Sequence, residues 1–297
     1  MNTPKKHHYV PKLLLKSFTL DGGDDDRLWA FDQRRRSQWR STPRKSACEA
    51  NFNTIDRGPG IDPTQVEKDF GAFESDAASA LRNILTAKRL PAADSRDFDL
   101  LINFVALLVS RVPAIREKIT QFVDEVRAKE DFAREWLRQS GNAVAEAPAE
   151  AIDRTWLVGN TIFSVQTLVP HLAQRKWSLW FVENDGPDLI CSDNPVALTW
   201  TVAHTGPYPP GFGVPNTLVS CPLTRRTLLV GSYEGQRDAA PLDERAVATA
   251  NSLTASNANQ LYSAAEDFVW LMSDGRIGKK ADLMNALRPV STDDRAT

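Results

Sequence analysis

The architecture of this chain follows from the stretch SRDFDLLINFVALLVSRV, residues 95–112. Ser95 is a favourable N-cap residue, so the pattern predicts a helix that begins directly after it. From Phe98 to Val112 the stretch is apolar almost all round, which is typical of a helix that is buried on every side. Pro113 is expected to kink or break this helix. A buried helix is therefore predicted near the middle of the chain.

The segments on both sides of this stretch also carry helical signals. Asp62 is a good cap and Pro63 suits a first turn, so a helix is predicted to begin there. Residues 114–139 form an amphipathic, charged pattern, and residues 149–175 predict another long helix. Residues 62–175 are therefore expected to form a helical bundle.

The two ends of the chain have β-type patterns instead. Short apolar runs bounded by turn residues predict strands at residues 28–31, 52–55, 177–182, 189–191, 196–201, 227–230 and 268–272. The order is β-rich, helical and β-rich, which predicts an α+β fold. We expect a single domain over residues 1–297. Its mixed β-region is built from residues 1–61 and 176–290, and the helical bundle is inserted between them.

Composition excludes several classes of protein. The 297 residues carry a formal net charge of −2, so no overall field favours nucleic acid or membrane. Three widely spaced cysteines without a CxxC motif argue against a zinc ribbon or a disulfide framework. The longest apolar run is about half the ~20 residues that a membrane span needs. A cytoplasmic location without a membrane partner is the expectation. Residues 1–45, with eleven Lys and Arg against five Asp, are locally basic.

The first candidate motif is KHHYVP, residues 6–11, which holds two of the four histidines. In an extended segment His7 and His8 point to opposite sides, so one of them at most faces a given site. Imidazole is a general acid or base, or a metal ligand, near neutral pH. The alternative is that His8 packs and hydrogen-bonds at the edge of the domain.

The second candidate motif is SDNP, residues 192–195, which follows the apolar run Leu189–Cys191. A carboxylate at the end of a buried strand is well placed to be a metal ligand or an acid/base group. The alternative is an Asx turn, in which Asp193 and Asn194 shape the backbone and perform no chemistry.

Four further charged residues are candidates. Glu67 and Glu74 share a helix face, where they could ligate Mg²⁺ or Mn²⁺ or hold an Arg or His. Arg111 lies in the buried helix and must be paired or face a polar cavity. A glutamate would satisfy it structurally, and a phosphate or carboxylate of a substrate would satisfy it functionally. Arg35 belongs to the run Arg34–Arg36, which either contacts a phosphate backbone or is a solvated turn.

Four motifs together resemble a known family. They are HHYVP at residues 7–11, VEKDFGAFES at 66–75, LINFVALLVSRVPAIR at 101–116 and SDNPV at 192–196. In this order they resemble the domain of unknown function 4238 family, an uncharacterised bacterial family, from His7 to about Asn259. The resemblance implies that His8, Asp193 and Asn194 are site residues. It also implies a bacterial setting that is often linked to defence or mobile elements, and it supplies no established reaction.

The leading hypothesis is an intracellular hydrolase that acts on phosphodiester bonds of nucleic acid or a nucleotide. Its expected catalytic residues are His8, Asp193, Asn194 and Glu67. Its expected substrate-binding residues are His7, Tyr9, Arg111 and Arg35. The expected cofactor is Mg²⁺ or Mn²⁺, which would offset the charge of the transferring phosphoryl group. Its expected ligands are His8 and Asp193.

The second hypothesis is a non-catalytic sensor or binding module. In it the HHYVP and SDNP motifs are structural clasps that join the two ends of the β-region. Pro11 and Pro195 would fix turns, and His8 would hydrogen-bond to the turn at Asp193. A solvent-open cleft where His8, Asp193 and a glutamate converge favours catalysis. A dry contact in which every polar group is satisfied favours the clasp.

Overall fold

The computed structural model describes residues 6–56, 60–140, 152–183, 185–203, 206–234 and 241–286. Helices occupy the middle of the chain, and strands occupy both ends. The helices are α1 (Lys12–Lys16), α2 (Gln65–Ala87), α3 (Arg96–Ser110), α4 (Pro113–Gln139), α5 (Arg154–Ala173), α6 (Glu244–Ser256) and α7 (Lys280–Ala286). The strands are β1 (Lys6–His8), β2 (Leu28–Asp32), β3 (Ser37–Ser41), β4 (Cys48–Ala50), β5 (Lys176–Val182), β6 (Cys191–Ser192), β7 (Ala197–Trp200), β8 (Thr217–Thr224), β9 (Thr227–Ser232), β10 (Pro241–Leu242), β11 (Gln260–Ser263), β12 (Val269–Leu271) and β13 (Ile277–Lys279).

Helix α3 is the buried centre that its sequence predicts. The Ser95 hydroxyl accepts the backbone N–H of Phe98 at 3.2 Å, which satisfies one of the free donors at the helix start. Nearly every side chain from Leu101 to Ser110 is buried, and the helix packs against α2 and α5. The expected break at Pro113 is observed: α3 ends at Ser110, and Pro113 opens α4, where its missing N–H costs no hydrogen bond.

Sheets combine strands from both ends of the chain. One four-stranded sheet has the order β3-β2-β11-β6, so β2 from the first 41 residues pairs with β11, a strand that follows the helices, and β3 lies at the edge beside β2. A five-stranded sheet has the order β10-β5-β9-β8-β7, in which only the pair β10-β5 is parallel. Strands β1 and β4 form one two-stranded sheet, and β12 and β13 form another. The expected α+β fold is confirmed.

Two local predictions were wrong. Residues 52–55 form a turn rather than a strand, and the strand of this region is β4. Asn51 has φ +57°, which ends the extended backbone and turns Phe52 and Asn53 toward the helices. Helix α2 begins three residues later than Asp62. The Asp62 carboxylate accepts both the N–H and the hydroxyl of Thr64, at 2.9 and 2.8 Å, and so forms a turn before the helix.

Among the described residues, no single helix has the length and apolar character that crossing a membrane requires. Only α3 and α4 taken together meet that requirement, and the two are bent by 56° with respect to each other.

Candidate functional site

The two histidines of the HHYVP motif lie on β1, which pairs antiparallel with β4. His7 is opposite Glu49, and His8 is opposite Cys48. The pleat places the two imidazoles in different surroundings, since His7 is 1% exposed and His8 is half-buried. The backbone N–H of Tyr9 continues the attachment by donating to the Ala47 carbonyl at 3.0 Å. The motif is therefore an edge strand fixed to residues 47–50.

His7 is part of a buried polar network. Its Nδ1 accepts the backbone N–H of Asn53 at 2.9 Å and lies 3.7 Å from Oε2 of Glu67. The Asn53 side-chain amide donates to the same Glu67 oxygen at 2.7 Å. Because Nδ1 accepts a hydrogen bond, it carries no proton in this arrangement. The network joins the N-terminal strand to helix α2.

Arg116 completes this network from α4. Its Nη1 donates to the Phe52 carbonyl at 2.7 Å, and its Nη2 donates to Oδ1 of Asn53 at 3.2 Å. Its guanidinium carbon lies 3.4 Å from the centre of the Phe52 ring. Burial lowers the pKa of Arg116 to about 10. Neither Asn53 nor Arg116 was predicted as a site residue. The available signal was an arginine at the end of the apolar run VPAIR.

Arg111 has the polar partners that its burial demands. This side chain is 1% exposed; its Nε donates to the Tyr9 carbonyl at 3.0 Å, and its Nη2 donates to Oε1 of Glu74 at 2.7 Å. The guanidinium also lies 5.4 Å from the centre of the Phe70 ring. The prediction of a polar partner is confirmed, and the partner among the two glutamates is Glu74. The substrate-binding role expected for Arg111 stays a prediction.

His8 is held by the loop that precedes β4. Its Nε2 lies 3.2 Å from the Pro43 carbonyl, so the proton belongs on Nε2 when this bond forms. Burial lowers the pKa of His8, and the positive charges of Lys12 and Arg111 act in the same direction. The Pro43 carbonyl and Glu67 oppose this shift. The neutral imidazole is therefore the favoured form of His8 at pH 7.

The SDNP motif is bound to the segment that follows α6. The Asp193 N–H donates to the Gln260 carbonyl, and Oδ1 of Asp193 accepts the N–H of Asn259, both at 3.0 Å. The Asn194 side-chain amide donates to the Asn257 carbonyl at 2.9 Å. Burial raises the pKa of Asp193 from 3.8 to about 6, although hydrogen bonds with residues 259 and 260 oppose the shift.

Tyr9 brings the two motifs together. Its hydroxyl is hydrogen-bonded to Tyr262 of β11, whose own hydroxyl donates to Oε1 of Gln260 at 2.9 Å. Burial raises the pKa of Tyr9, and the nearby Asp193 carboxylate raises it further. The hydrogen bond expected between His8 and the Asp193 turn is not formed, since His8 bonds to the Pro43 carbonyl. The N-terminal and late motifs thus share one buried tyrosine pair.

Arg35 lies on the turn between β2 and β3. Its side chain is 84% exposed, and its Nε is 4.0 Å from Oδ2 of Asp32. Its backbone N–H donates to Oδ1 of the same residue at 2.8 Å. The positive charge of the neighbouring Arg34 acts to lower the pKa of Asp193, against the larger effect of burial. The contact expected between Arg35 and a phosphate backbone stays a prediction.

The described residues contain no group of three or more His, Cys, Asp or Glu side chains arranged to hold a metal ion. Oδ1 of Asp193 accepts the Asn259 N–H, and Nε2 of His8 lies 3.2 Å from the Pro43 carbonyl, so both expected ligands already have partners within the protein. The Mg²⁺ or Mn²⁺ site stays a prediction. Three cavities of about 570, 620 and 400 Å³ occur in the described part of the chain, and neither His8 nor Asp193 lines any of them.

The fold is that of an α+β protein in which HHYVP and SDNP are each hydrogen-bonded to distant parts of the chain. Residues 6–266 match the family described as "Protein of unknown function (DUF4238)", so the chain belongs to that family. No curated protein matches the chain, and no solved structure does.

Proposed function

We propose that the protein is a non-catalytic binding module in which the HHYVP and SDNP motifs are structural clasps. One observation carries this proposal: the Asp193 carboxylate accepts the Asn259 N–H at 3.0 Å while the Asn194 amide donates to the Asn257 carbonyl at 2.9 Å. Oδ1 of Asp193 and Nδ2 of Asn194, which could otherwise contact a substrate, are therefore hydrogen-bonded within the protein. Both bonds reach residues more than 60 positions away, so they fasten the SDNP loop to the segment after α6; the local bond is the one that the Asn194 N–H donates to the Ser192 hydroxyl at 3.2 Å.

The N-terminal motif supports the same proposal. His7 is buried against the Asn53 N–H, His8 is bonded to the Pro43 carbonyl, and the Tyr9 carbonyl accepts from Arg111. A buried donor that loses its acceptor costs about 1–3 kcal/mol. These contacts connect residues far apart in the chain, so they stabilise the meeting of the β-rich ends with the helices.

The test compares unfolding with activity. Asp193→Ala is expected to lower the free energy of unfolding by about 1–3 kcal/mol, because the Asn259 N–H loses its acceptor. Asp185→Ala, at an exposed loop position, is the matched control and should change it by less than about 0.5 kcal/mol. Urea denaturation followed by circular dichroism measures both. An Asp193→Ala variant that is as stable as the control yet loses a measurable phosphodiesterase activity would overturn the proposal.

The second candidate function is the phosphodiester hydrolase, with nucleic acid or a nucleotide as substrate. The observation that favours it is the neutral, half-buried imidazole of His8 beside the charges of Glu67 and Arg111. A neutral imidazole is the form that a general base requires. In this candidate His8 takes the proton of the attacking water, and the defence or mobile-element setting implied by the family resemblance supplies the biological context.

A direct assay separates the two candidates. Bis(p-nitrophenyl) phosphate and a single-stranded oligonucleotide are incubated with the protein, with and without Mg²⁺ or Mn²⁺. The hydrolase predicts turnover that His8→Ala abolishes while the melting temperature is unchanged. The binding module predicts no turnover above that of the His8→Ala variant under any of these conditions.

A further inference from the structure

A cavity of about 570 Å³ lies between the five-stranded sheet and helix α6. Alternate residues of the strands face it, as the pleat of a sheet requires. Ser178 on β5, Val230 on β9 and Ser220 on β8 are consecutive partners across the sheet, and all three line the cavity. Residues of α6, among them Ala250 and Leu253, form the opposite wall.

The wall of this cavity is mainly apolar and includes two tryptophans. Trp180 and Trp200 line it together with Leu218, Val230 and Leu253. The Trp180 ring is fixed in position, since its Nε1 donates to the Ser178 hydroxyl at 2.8 Å. Cavities of ~300–1,000 Å³ with apolar and aromatic walls are the usual form of small-molecule sites. Fixed indole rings favour a ligand with an aromatic ring, which they contact by offset or edge-to-face packing.

One polar group in the wall has no partner. Ser220 is 2% exposed, and its hydroxyl makes no hydrogen bond within the described part of the chain. Buried hydroxyls are nearly always hydrogen-bonded, so an exception needs an explanation. Its position in the cross-strand row with Ser178 and Val230 places Ser220 on the cavity face. A hydrogen-bonding group on a bound ligand would satisfy it.

The cavity is accessible from outside. Thr249 of α6, Thr201 and Val202 are exposed lining residues, and they mark its rim. Lys176 is a further exposed residue of this rim, and it forms no ion pair among the described residues. A small molecule can therefore reach the apolar wall without unfolding the sheet.

We propose that this cavity is the binding site of a mainly apolar aromatic small molecule with one hydrogen-bonding group that meets Ser220. This ligand site does not depend on the proposed function, because no residue of the HHYVP or SDNP motif lines the cavity. The experiment below measures ligand binding, whereas the clasp test measures unfolding, so each proposal can fail without the other.

The first arm tests where binding occurs. The probe is 1-anilinonaphthalene-8-sulfonate, whose fluorescence rises in apolar sites. Thr249→Trp covers the cavity with an indole and should reduce the probe's affinity by about tenfold or more, because most of the apolar contact is lost. Thr167→Trp is the matched control. Both threonines are exposed and helical, and each donates its hydroxyl to the carbonyl four residues earlier.

The second arm tests the role of the hydroxyl. Ser220→Ala should weaken the binding of 2-naphthol by about three- to tenfold, the value of one hydrogen bond, and should change the binding of naphthalene by less than about twofold. Calorimetric melting checks that each variant is folded.

Two results would overturn the proposal. One is equal affinity of the anilinonaphthalene probe for Thr249→Trp and Thr167→Trp, or its failure to bind the wild type. The other is an equal effect of Ser220→Ala on 2-naphthol and naphthalene, which would show that the hydroxyl recognises no ligand group.

Discussion

Nη2 of Arg111 lies 2.7 Å from Oε1 of Glu74, and this ion pair joins the end of α3 to the middle of α2 directly behind Tyr9. Arg111 is 1% exposed and Glu74 is 23% exposed, so the pair is desolvated mainly on the arginine side. The same guanidinium also supports the Tyr9 carbonyl. One buried cation thus joins the N-terminal motif to helices α2 and α3.

Removing this cation should be among the most destabilising single changes in the chain. Arg111→Ala is expected to lower the free energy of unfolding by about 3–5 kcal/mol, because it leaves Glu74 and the Tyr9 carbonyl without a donor. Arg111→Lys should recover part of the loss, since one ammonium cannot reproduce the fork of guanidinium donors. Equilibrium urea denaturation measures the series.

An exposed ion pair provides the control for Arg111. Arg96 donates to Asp76 at 2.9 Å, but the two side chains are 77% and 56% exposed. Arg96→Ala should therefore cost less than about 1 kcal/mol. If Arg111→Ala and Arg96→Ala have equal effects, the buried pair does not hold the N-terminal motif in place.

Asp193 should give the protein a recognisable pH dependence. Burial raises the pKa of Asp193 from 3.8 to about 6, so the folded protein holds this proton more tightly than the unfolded chain does. The free energy of unfolding should therefore fall as pH rises from about 4 to about 6, and stay at the lower level above that. Asp193→Asn keeps an acceptor for Asn259 and has no proton to lose. We expect it to remove this slope and to equal or exceed wild-type stability at pH 7, by no more than about 3 kcal/mol.

The Asp193 prediction is checked by the difference between two stability profiles. Wild type and Asp193→Asn are unfolded in urea at intervals between about pH 3.5 and about pH 7.5. This range includes the ordinary aspartate pKa of 3.8 and the raised pKa of Asp193, about 6. A difference that does not change with pH would contradict the burial of this carboxylate.

The two neighbouring histidines should differ in their contribution to stability. His7 is buried and accepts the Asn53 N–H at 2.9 Å, whereas His8 is half-buried and its Nε2 lies 3.2 Å from the Pro43 carbonyl. His7→Ala is expected to lower the free energy of unfolding by about 1–3 kcal/mol, and His8→Ala by less than that. Parallel urea titrations of the two variants measure the difference. The reverse order would show that the wrong imidazole has been assigned to the clasp.

His8 should make its own contribution to the pH dependence, with the opposite sign to that of Asp193. Burial lowers the pKa of His8 below 6.5, so protonation favours the unfolded chain. The stability that His8 contributes is fully present above pH 6.5 and is lost as pH falls. His8→Gln should flatten this part of the profile, and His171→Gln, at an exposed position, should not. If the two variants have identical profiles of unfolding free energy against pH, burial does not lower the pKa of His8.

Local sequence signals were sufficient for the parts of the fold that local physics controls. Ser95 caps α3 as predicted, and the all-round apolar pattern after it indicated a buried helix. The need for a partner at Arg111 followed from the cost of burying a charge, although the pattern left Glu67 and Glu74 as equal candidates. The choice of Glu74 depends on how α2 and α3 pack, which no spacing along the chain specifies.

The network behind the motifs could not be predicted, because it is built from long-range contacts. Asn53 and Arg116 are 63 residues apart, and Tyr262 reaches Tyr9 from the far end of the chain. Residues 52–55 read as a strand because Phe52 and Ile55 are apolar, yet the turn after Asn51 is what brings Asn53 to His7. Strand β8 was overlooked because Pro222 interrupts its pattern; the structure accommodates this proline where the register shifts.

Amide hydrogen exchange at Asn259 tests the clasp proposal most directly, since it reports the hydrogen bond that Oδ1 of Asp193 accepts from this amide at 3.0 Å. The account predicts that Asp193→Ala speeds exchange of this amide by about tenfold or more, while Asp193→Asn, which retains the acceptor, stays close to wild type. Equal protection of the Asn259 amide in all three proteins would contradict the account.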